Sequence, residues 1–403
     1  MAKLLEGVTV IDLAWVGVGP MTSRHLAWQG AEVIHIETSA RLDVLRTNGP
    51  FPGHVFDINK SGMFTDNNCN KYGITLNLNL PQGQEVFKRL AARADVVVEN
   101  FTPKATKKWG LTYSDLVKVR PDIIMISLTA HGQTGPYAMH PGAGFSMMGL
   151  TGIGNLTGWP DQTPNLIGMA WNDWIGPHFG AMAVIAALRE RQRTGRGQYI
   201  DVSQYECGVY SLGPAMMDWA ANRHLWERQG DRSPVAAPHS VYRCRGRERW
   251  VAIAVTNDRH WDAFCRALDG VDWTSDPRFA TMRGRLKHVD ELDRLVETWT
   301  SQLAPEQVMA RLQAAGVPSG VVQSSQDCRE DPQLNERGHF CVLDHPTIGK
   351  HAYSSPSFKL SATPHELYKA APLLGADNEH VYRDILGLSE DEVIALAMEG
   401  VLE

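Results

Sequence analysis

Short β-branched runs recurring along the first 130 residues constrain the fold of this chain more than any other feature. Residues 8–12 (VTVID), 31–37 (AEVIHIE), 73–79 (GITLNLN), 94–100 (ADVVVEN) and 122–128 (DIIMISL) have the length and composition of strands. Between the third and fourth, residues 82–93 place Val86, Phe87, Leu90 and Ala91 on one helical face. Strand, helix, strand at this spacing predicts a parallel sheet covered by helices. The first part of the chain therefore reads as an α/β domain.

Residues 130–176 are rich in Gly, Pro, Thr, Trp and Met and lack periodicity. They read as a long loop, a kind that compact domains keep for function. A helix over 177–192 follows, stopped by Gly195, then a strand over 199–203 and a helical stretch over 204–223. The polar, proline-bearing stretch 229–238 marks a boundary. Beyond it a strand at 250–256, helices at 261–268 and 290–315 and a turn at 316–320 form a smaller α+β pattern. Short strand-like pieces follow Arg337-Gly338, then a helix near 378–386. The expected organisation is a large α/β domain over 1–225, completed by 336–403, and a small α+β domain over 226–335.

Composition narrows the function classes. A net charge of −6 on 403 residues gives no general attraction for nucleic acid or anionic membrane. No apolar run approaches the roughly 20 residues of a membrane span. The start, MAKLLEG, meets an acidic residue at once and has no apolar signal core, so a cytoplasmic protein is expected. The six cysteines form no CxxC pair, and the 15 histidines form no HExxH or mixed His/Cys ligand spacing. No metal site is expected.

Three motifs carry chemistry. The turn after the first strand, residues 16–22 (VGVGPMT), approaches a dinucleotide fingerprint, with Glu37 ending the next strand. Thr22 stands where a third glycine belongs, and Pro20 suits the first turn of a helix. Either NAD or another phosphate-bearing cofactor would fit such backbone N–H groups. Ser146 misses the nucleophile-elbow pattern and reads as structural. Asp173, between Trp171 and Trp174 and just ahead of the apolar helix, reads either as a helix cap or as a water-shielded nucleophile. Its local chemistry leaves both open.

The chain resembles the family III CoA-transferases, a group that includes formyl-CoA and carnitine CoA-transferases and, as a branch, α-methylacyl-CoA racemases. The resemblance runs nearly end to end. It rests on residues 5–13 (LEGVTVIDL), Gly19-Pro20, 29–37 (QGAEVIHIE), Asn70-Lys71, 94–101 (ADVVVENF), 132–137 (GQTGPY) and 186–198 (AALRERQRTGRGQ). In the second half it rests on 276–280 (DPRFA), 315–318 (AGVP), 331–334 (DPQL), Arg337-Gly338 and 372–375 (PLLG).

The resemblance implies a Rossmann-like large domain and a catalytic Asp173 that attacks a donor thioester, forms a mixed anhydride, and is converted to an aspartyl-CoA thioester. It implies CoA contacts at Val16 and Val18 through backbone, at Asn70 and Lys71, at Asn100 and Phe101, and at Lys108. Thr38 stands where some members carry a basic CoA ligand, and Arg41 is the nearby substitute. No cofactor is held permanently; coenzyme A thioesters are substrates. Ala143 and Gly144 fall where racemases of the family place a His-Asp pair, which counts against an acyl-CoA racemase or epimerase. The long glycine-rich loop of some transferases is replaced by 229–238, with Gly230 its one glycine. The family also implies an interlocked homodimer, or a heteromer with a homologous subunit in which this chain, having Asp173, is the active partner rather than a non-catalytic CoA-binding subunit. The pattern is most similar to benzylsuccinate CoA-transferase subunits, with succinyl-CoA as donor.

Overall fold

The computed structural model describes residues 3–403. A compact unit comprises the chain up to Gly154, Leu166–Leu225 and Gln333–Glu403; a second comprises Asn155–Asn165 and Trp226–Pro332. The first is built on a six-stranded parallel sheet of β1 (Thr9–Asp12), β2 (Glu32–Glu37), β3 (Lys71–Thr75), β4 (Val96–Glu99), β5 (Ile124–Thr129) and β6 (Tyr199–Ser203). The strand order is 3-2-1-4-5-6, with every neighbouring pair parallel. The order reverses between β1 and β4, where open α/β sheets form a crevice at their carboxyl ends.

Alternating residues of the strands feed the two faces of the sheet. Ile11, Ile34, Ile36, Val97 and Met125 pack with Val86, Phe87 and Leu90 of α2 (Pro81–Ala91) and with Tyr382 and Val401 near the C-terminus. Val10, Val33, Val96, Ile124 and Ile126 pack on the other face with Leu26 and Ala27 of α1 (Val18–Trp28). Val184, Ala187 and Leu188 of a long helix, Trp171–Thr194, close that layer. β3 is an edge strand, and the C-terminal segment blunts it: Asp377 and Asn378 side chains accept the Gly73 and Thr75 amides at 2.8 and 2.9 Å.

Several elements differ from the sequence reading. β3 ends at Thr75 because Asn77 turns the chain, its Oδ1 accepting the Asn79 amide at 3.1 Å. The helix expected from Pro177 begins at Trp171. Pro177 lies inside it and, lacking an N–H, leaves the Asp173 carbonyl without its usual intrahelical donor. The stretch read as one long loop contains a helix, Gly144–Leu150. Ser146 caps it, its hydroxyl bonded to both Ala143 N and Ala143 O. A C-terminal helix, Glu390–Met398, follows the expected one and is set by a Ser389–Glu392 capping box.

The second unit holds a three-stranded antiparallel sheet of β7 (His239–Arg243), β8 (Trp250–Ala254) and β9 (Ser319–Val321). Its core is rich in aromatics, with Trp261, Phe264, Phe279 and Trp299 in contact. Residues 155–165, read from the sequence as part of the larger domain, belong here: Gly230 N donates to Gly158 O at 2.9 Å and Arg228 to Asn155 O at 3.0 Å. Among the described residues no helix is long and apolar enough to cross a membrane, and no group of three or more His, Cys, Asp or Glu side chains is placed to hold a metal ion.

Candidate active site

The turn between β1 and α1 is held in a conformation that its sequence does not favour. Val16 has φ of 67°, the left-handed region that a β-branched residue avoids. The buried Asp43 carboxylate fixes it by accepting the Val16 amide at 3.1 Å through both oxygens, and the Leu45 amide at 2.9 Å. Asn100, just past β4, clamps the preceding peptide: its Oδ1 accepts Trp15 N at 2.9 Å and its Nδ2 donates to Trp15 O. Gly19 is obligatory, since a Cβ there would lie 2.1 Å from Ala14 Cβ. Asp43→Ala is expected to cost about 1–3 kcal/mol, read by urea unfolding. Val16→Gly in that background should recover part of it, because glycine adopts this conformation freely. Equal losses in the single and double variants would show that Asp43 does not hold the turn.

Asp173 sits in the first turn of Trp171–Thr194, opposite this strained turn. Among the described residues its carboxylate has no hydrogen-bond or ion-pair partner. Gly17 and Gly144 flank it closely: a Cβ on Gly17 would lie 3.1 Å from Asp173 Cβ, and one on Gly144 only 2.4 Å from Asp173 Oδ2. Burial pushes the Asp173 carboxyl up to about 6 from an ordinary 3.8. The carboxylate opens into a cavity of about 330 Å³. Val16, Val18, Leu128, Ala130 and Met147 form its apolar wall, and Asn100 and Gln204 bring amides. A desolvated, unpaired carboxylate that is still largely ionised at neutral pH is what nucleophilic attack requires.

A second cavity, about 320 Å³, lies at the ends of β1, β2 and β4. Trp15, Phe101 and Trp109 make an edge-to-face aromatic wall, with ring centroids 5.5 and 5.2 Å apart. The cations of Arg41, Lys104 and Lys108 line it and are exposed. Thr38 also lines it, but its hydroxyl donates to Glu403 at 2.7 Å, leaving Arg41 as the group that presents charge there. Trp15 and Phe101 face this cavity while their chain neighbours Val16 and Asn100 face the one with Asp173. A flat ring with anionic groups on one side and a reactive acyl group on the other matches this pair of sites.

Val16, Val18, Asn100 and Asp173 thus come together around one cavity, and Arg41, Phe101 and Lys108 around the next. Asn70 and Lys71, expected to contact CoA, line neither cavity. Lys71 is fully buried, its Nζ donating to Asp12 at 2.9 Å and to Pro20 O and Asn68, each at 2.8 Å. Asn70 ties the C-terminal segment, donating to Glu366 O and accepting the Tyr368 and Lys369 amides. Both are spent on structure. Glu37 is likewise unavailable to a ribose, since Arg46 takes both its oxygens at 2.7 and 2.6 Å, which removes the acid a dinucleotide site needs. Ala143 and Gly144 line the cavity of Asp173 without a proton-transfer group. His131 and His140 stand with ring centroids 6.4 Å apart, and neither lines that cavity.

Asp43, Lys104, Trp109 and Gln204 were not singled out from the sequence, and Gly144 only as a position where racemases of the family carry part of a His-Asp pair. Lys104 and Trp109 carry a readable signal, lying with Lys108 on one short helix directly after Phe101. The others act through contacts distant in sequence and carry none.

The model of CoA-transferase family III matches residues 5–378. A succinyl-CoA–D-citramalate CoA-transferase of Chloroflexus aurantiacus is 33% identical over 399 residues, covering 99% of this chain and 98% of the relative. The beta subunit of a succinyl-CoA–L-malate CoA-transferase of the same organism is 31% identical over 402 residues, covering 99% and 98%. A CAIB/BAIF family protein from Brucella suis has the same fold, with a TM-score of 0.87 and 30% identity over 96% of this chain and 100% of its own. With a matching model across most of its length and relatives of this identity, the chain belongs to CoA-transferase family III and is a CoA-transferase that uses CoA thioesters as substrates.

Proposed function

We propose that this enzyme moves CoA from succinyl-CoA to a dicarboxylic acid through an aspartyl-CoA thioester on Asp173. The observation that carries the reading is the unpaired carboxylate of Asp173, pushed up by burial and cradled by Gly17 and Gly144. Asp173 attacks the thioester carbonyl carbon, and the C–S pair leaves as CoA thiolate, giving an aspartyl-acyl anhydride. The thiolate attacks the aspartyl carbonyl and releases the donor acid as its carboxylate. An acceptor carboxylate then attacks the aspartyl thioester, and the same steps run in reverse. No proton needs to be transferred, which suits a cavity without an acid–base side chain other than Asp173 itself. Its apolar wall protects the anhydride and thioester from water.

The nucleotide end of CoA fits the second cavity, its base against Trp15, Phe101 and Trp109 and its phosphates toward Arg41, Lys104 and Lys108. The double variant Lys104→Ala/Lys108→Ala should raise KM for succinyl-CoA about 10–100-fold with kcat little changed. An unchanged KM would remove these residues from the CoA site.

The citramalate and malate relatives support a dicarboxylate acceptor. The exposed Trp174 beside Asp173 supports an aromatic one such as benzylsuccinate. Initial rates over a panel of aliphatic and aryl-substituted dicarboxylates decide between them, and a strong preference for formate or carnitine would sink both. A homodimer, or a heteromer with a homologous subunit, is the assembly we favour. The helix Gly213–Asn222 buries none of its residues and exposes Met216, Met217 and Trp219, the surface a partner chain would cover. A cytoplasmic location fits the six free cysteines. Mass spectrometry after mixing with succinyl-CoA tests the chemistry: a CoA adduct is expected on the peptide containing Asp173, and its absence during turnover would refute the mechanism.

A further inference from the structure

Gln204, the residue that follows β6 and opens the short helix Gln204–Tyr210, is a side chain that its surroundings do not use. It is 8% exposed, yet its Oε1 is buried without a partner, and among the described residues neither end of its amide makes a hydrogen bond. Buried amides without partners are rare in folded proteins and ask for an explanation. Here Gln204 is one of the residues that line the cavity holding Asp173.

Two contacts place it beside Asp173. The Gln204 backbone carbonyl accepts Asn172 Nδ2 at 2.7 Å, which ties it to the residue before Asp173. Its Cγ passes over Gly176, 3.8 Å from where a Cβ would stand. Gly176 lies three positions after Asp173, on the same face of the helix. The other amide lining the cavity, that of Asn100, is spent on the Trp15 peptide. The remaining walls are Val16, Gly17, Val18, Leu128, Ala130, Gly142, Ala143, Gly144 and Met147, none with a side-chain donor.

We propose that Gln204 is the side-chain donor to the acyl oxygen during attack by Asp173, an inference that rests on the aspartyl-CoA reading above. As the Asp173 oxygen bonds to the thioester carbon, the carbonyl π pair moves onto its oxygen, and Gln204 Nε2–H donates to that developing charge. When the carbonyl re-forms, the C–S pair leaves as thiolate, and the Gln204 proton stays on nitrogen. The amide is thus held unpartnered in the resting enzyme for an oxygen that arrives with the substrate.

The half-reaction with succinyl-CoA alone tests this without knowledge of the acceptor. The adduct is followed by rapid quench and mass spectrometry in the wild type and in Gln204→Met, which keeps the volume and removes the amide. The rate of adduct formation should fall about 10²–10³-fold, with the succinyl-CoA concentration dependence unchanged and the melting temperature equal or higher. A rate within about threefold of wild type, or a lowered melting temperature with an unaltered rate on the folded fraction, would make Gln204 a structural residue and overturn the proposal. A wild-type enzyme that forms no adduct overturns the Asp173 reading and this one with it. Gln204→Ala, should Gln204→Met misfold, gives the same comparison.

Discussion

Asp173→Asn is expected to abolish CoA transfer and, at the same time, to make the protein more stable near pH 8. The loss of turnover should be at least about 10³-fold, the scale of removing a covalent nucleophile, and no CoA adduct should form. The gain in stability follows from the direction of the pKa shift. The folded-state value, about 6, lies above the ordinary 3.8 because the cavity desolvates the charge. The contribution of Asp173 to stability is then fully present below the unfolded value, and it is lost as pH rises through about 6. A shift of this size would correspond to up to about 3 kcal/mol; the side chain is only partly buried, and about 1–2 kcal/mol is the discounted expectation. Asparagine keeps the shape and cannot ionise, so its advantage should appear in urea unfolding near pH 8 and vanish near pH 4. Wild-type kcat/KM should fall about tenfold per pH unit below the same midpoint, as the nucleophile is protonated. A variant no more stable than wild type at either pH would mean that water reaches the carboxylate, and the shielding argued for the intermediate would fail.

How far such a site can be read in advance depends on whether its contacts are local. The parallel sheet was legible because runs such as Val96-Val97-Val98 in β4 bury side chains on both faces and are apolar throughout. Asp173 was legible only in part. Its place before an apolar helix left cap and nucleophile both open, and resemblance to the family, not local chemistry, favoured the second. The structure adds the physical reason: the helix starts at Trp171, so Asp173 is inside the first turn and bonds no backbone amide. Pro177 hid this, since a proline at that point reads as a helix start. The structural place of Lys71 was not legible, because its partner Asp12 lies 59 residues away and spacing cannot reveal it. Asp43 and Gln204 belong to the same class, one holding Val16 and the other facing the Asp173 cavity from the far end of the sheet.

Gly144→Ala should inactivate the enzyme through a single methyl group. Its Cβ would stand 2.2 Å from Ala170 Cβ and 2.4 Å from Asp173 Oδ2, distances at which something must move. Ala170 caps the helix that carries Asp173, and Gly144 is the first residue of Gly144–Leu150. The conflict is resolved either by parting the two helices or by turning the carboxylate out of its cavity. Overpacking of this kind costs about 1–3 kcal/mol, and a displacement of about 1 Å at a reacting group costs on the order of 10²-fold in rate. Gly17→Ala is milder, because its Cβ would lie 3.1 and 3.2 Å from Asp173 Cβ and Cγ, and a few tenths of an ångström suffice; about a tenfold loss is expected. Gly149→Ala is the control. It lies in the same helix as Gly144, nothing stands within 4 Å of its Cβ, and it should keep full activity and gain up to about 1 kcal/mol from helix propensity. The order of kcat/KM, Gly149→Ala above Gly17→Ala above Gly144→Ala, tests the cradle directly. Full activity in Gly144→Ala would mean that the carboxylate does not work from the position between the two glycines.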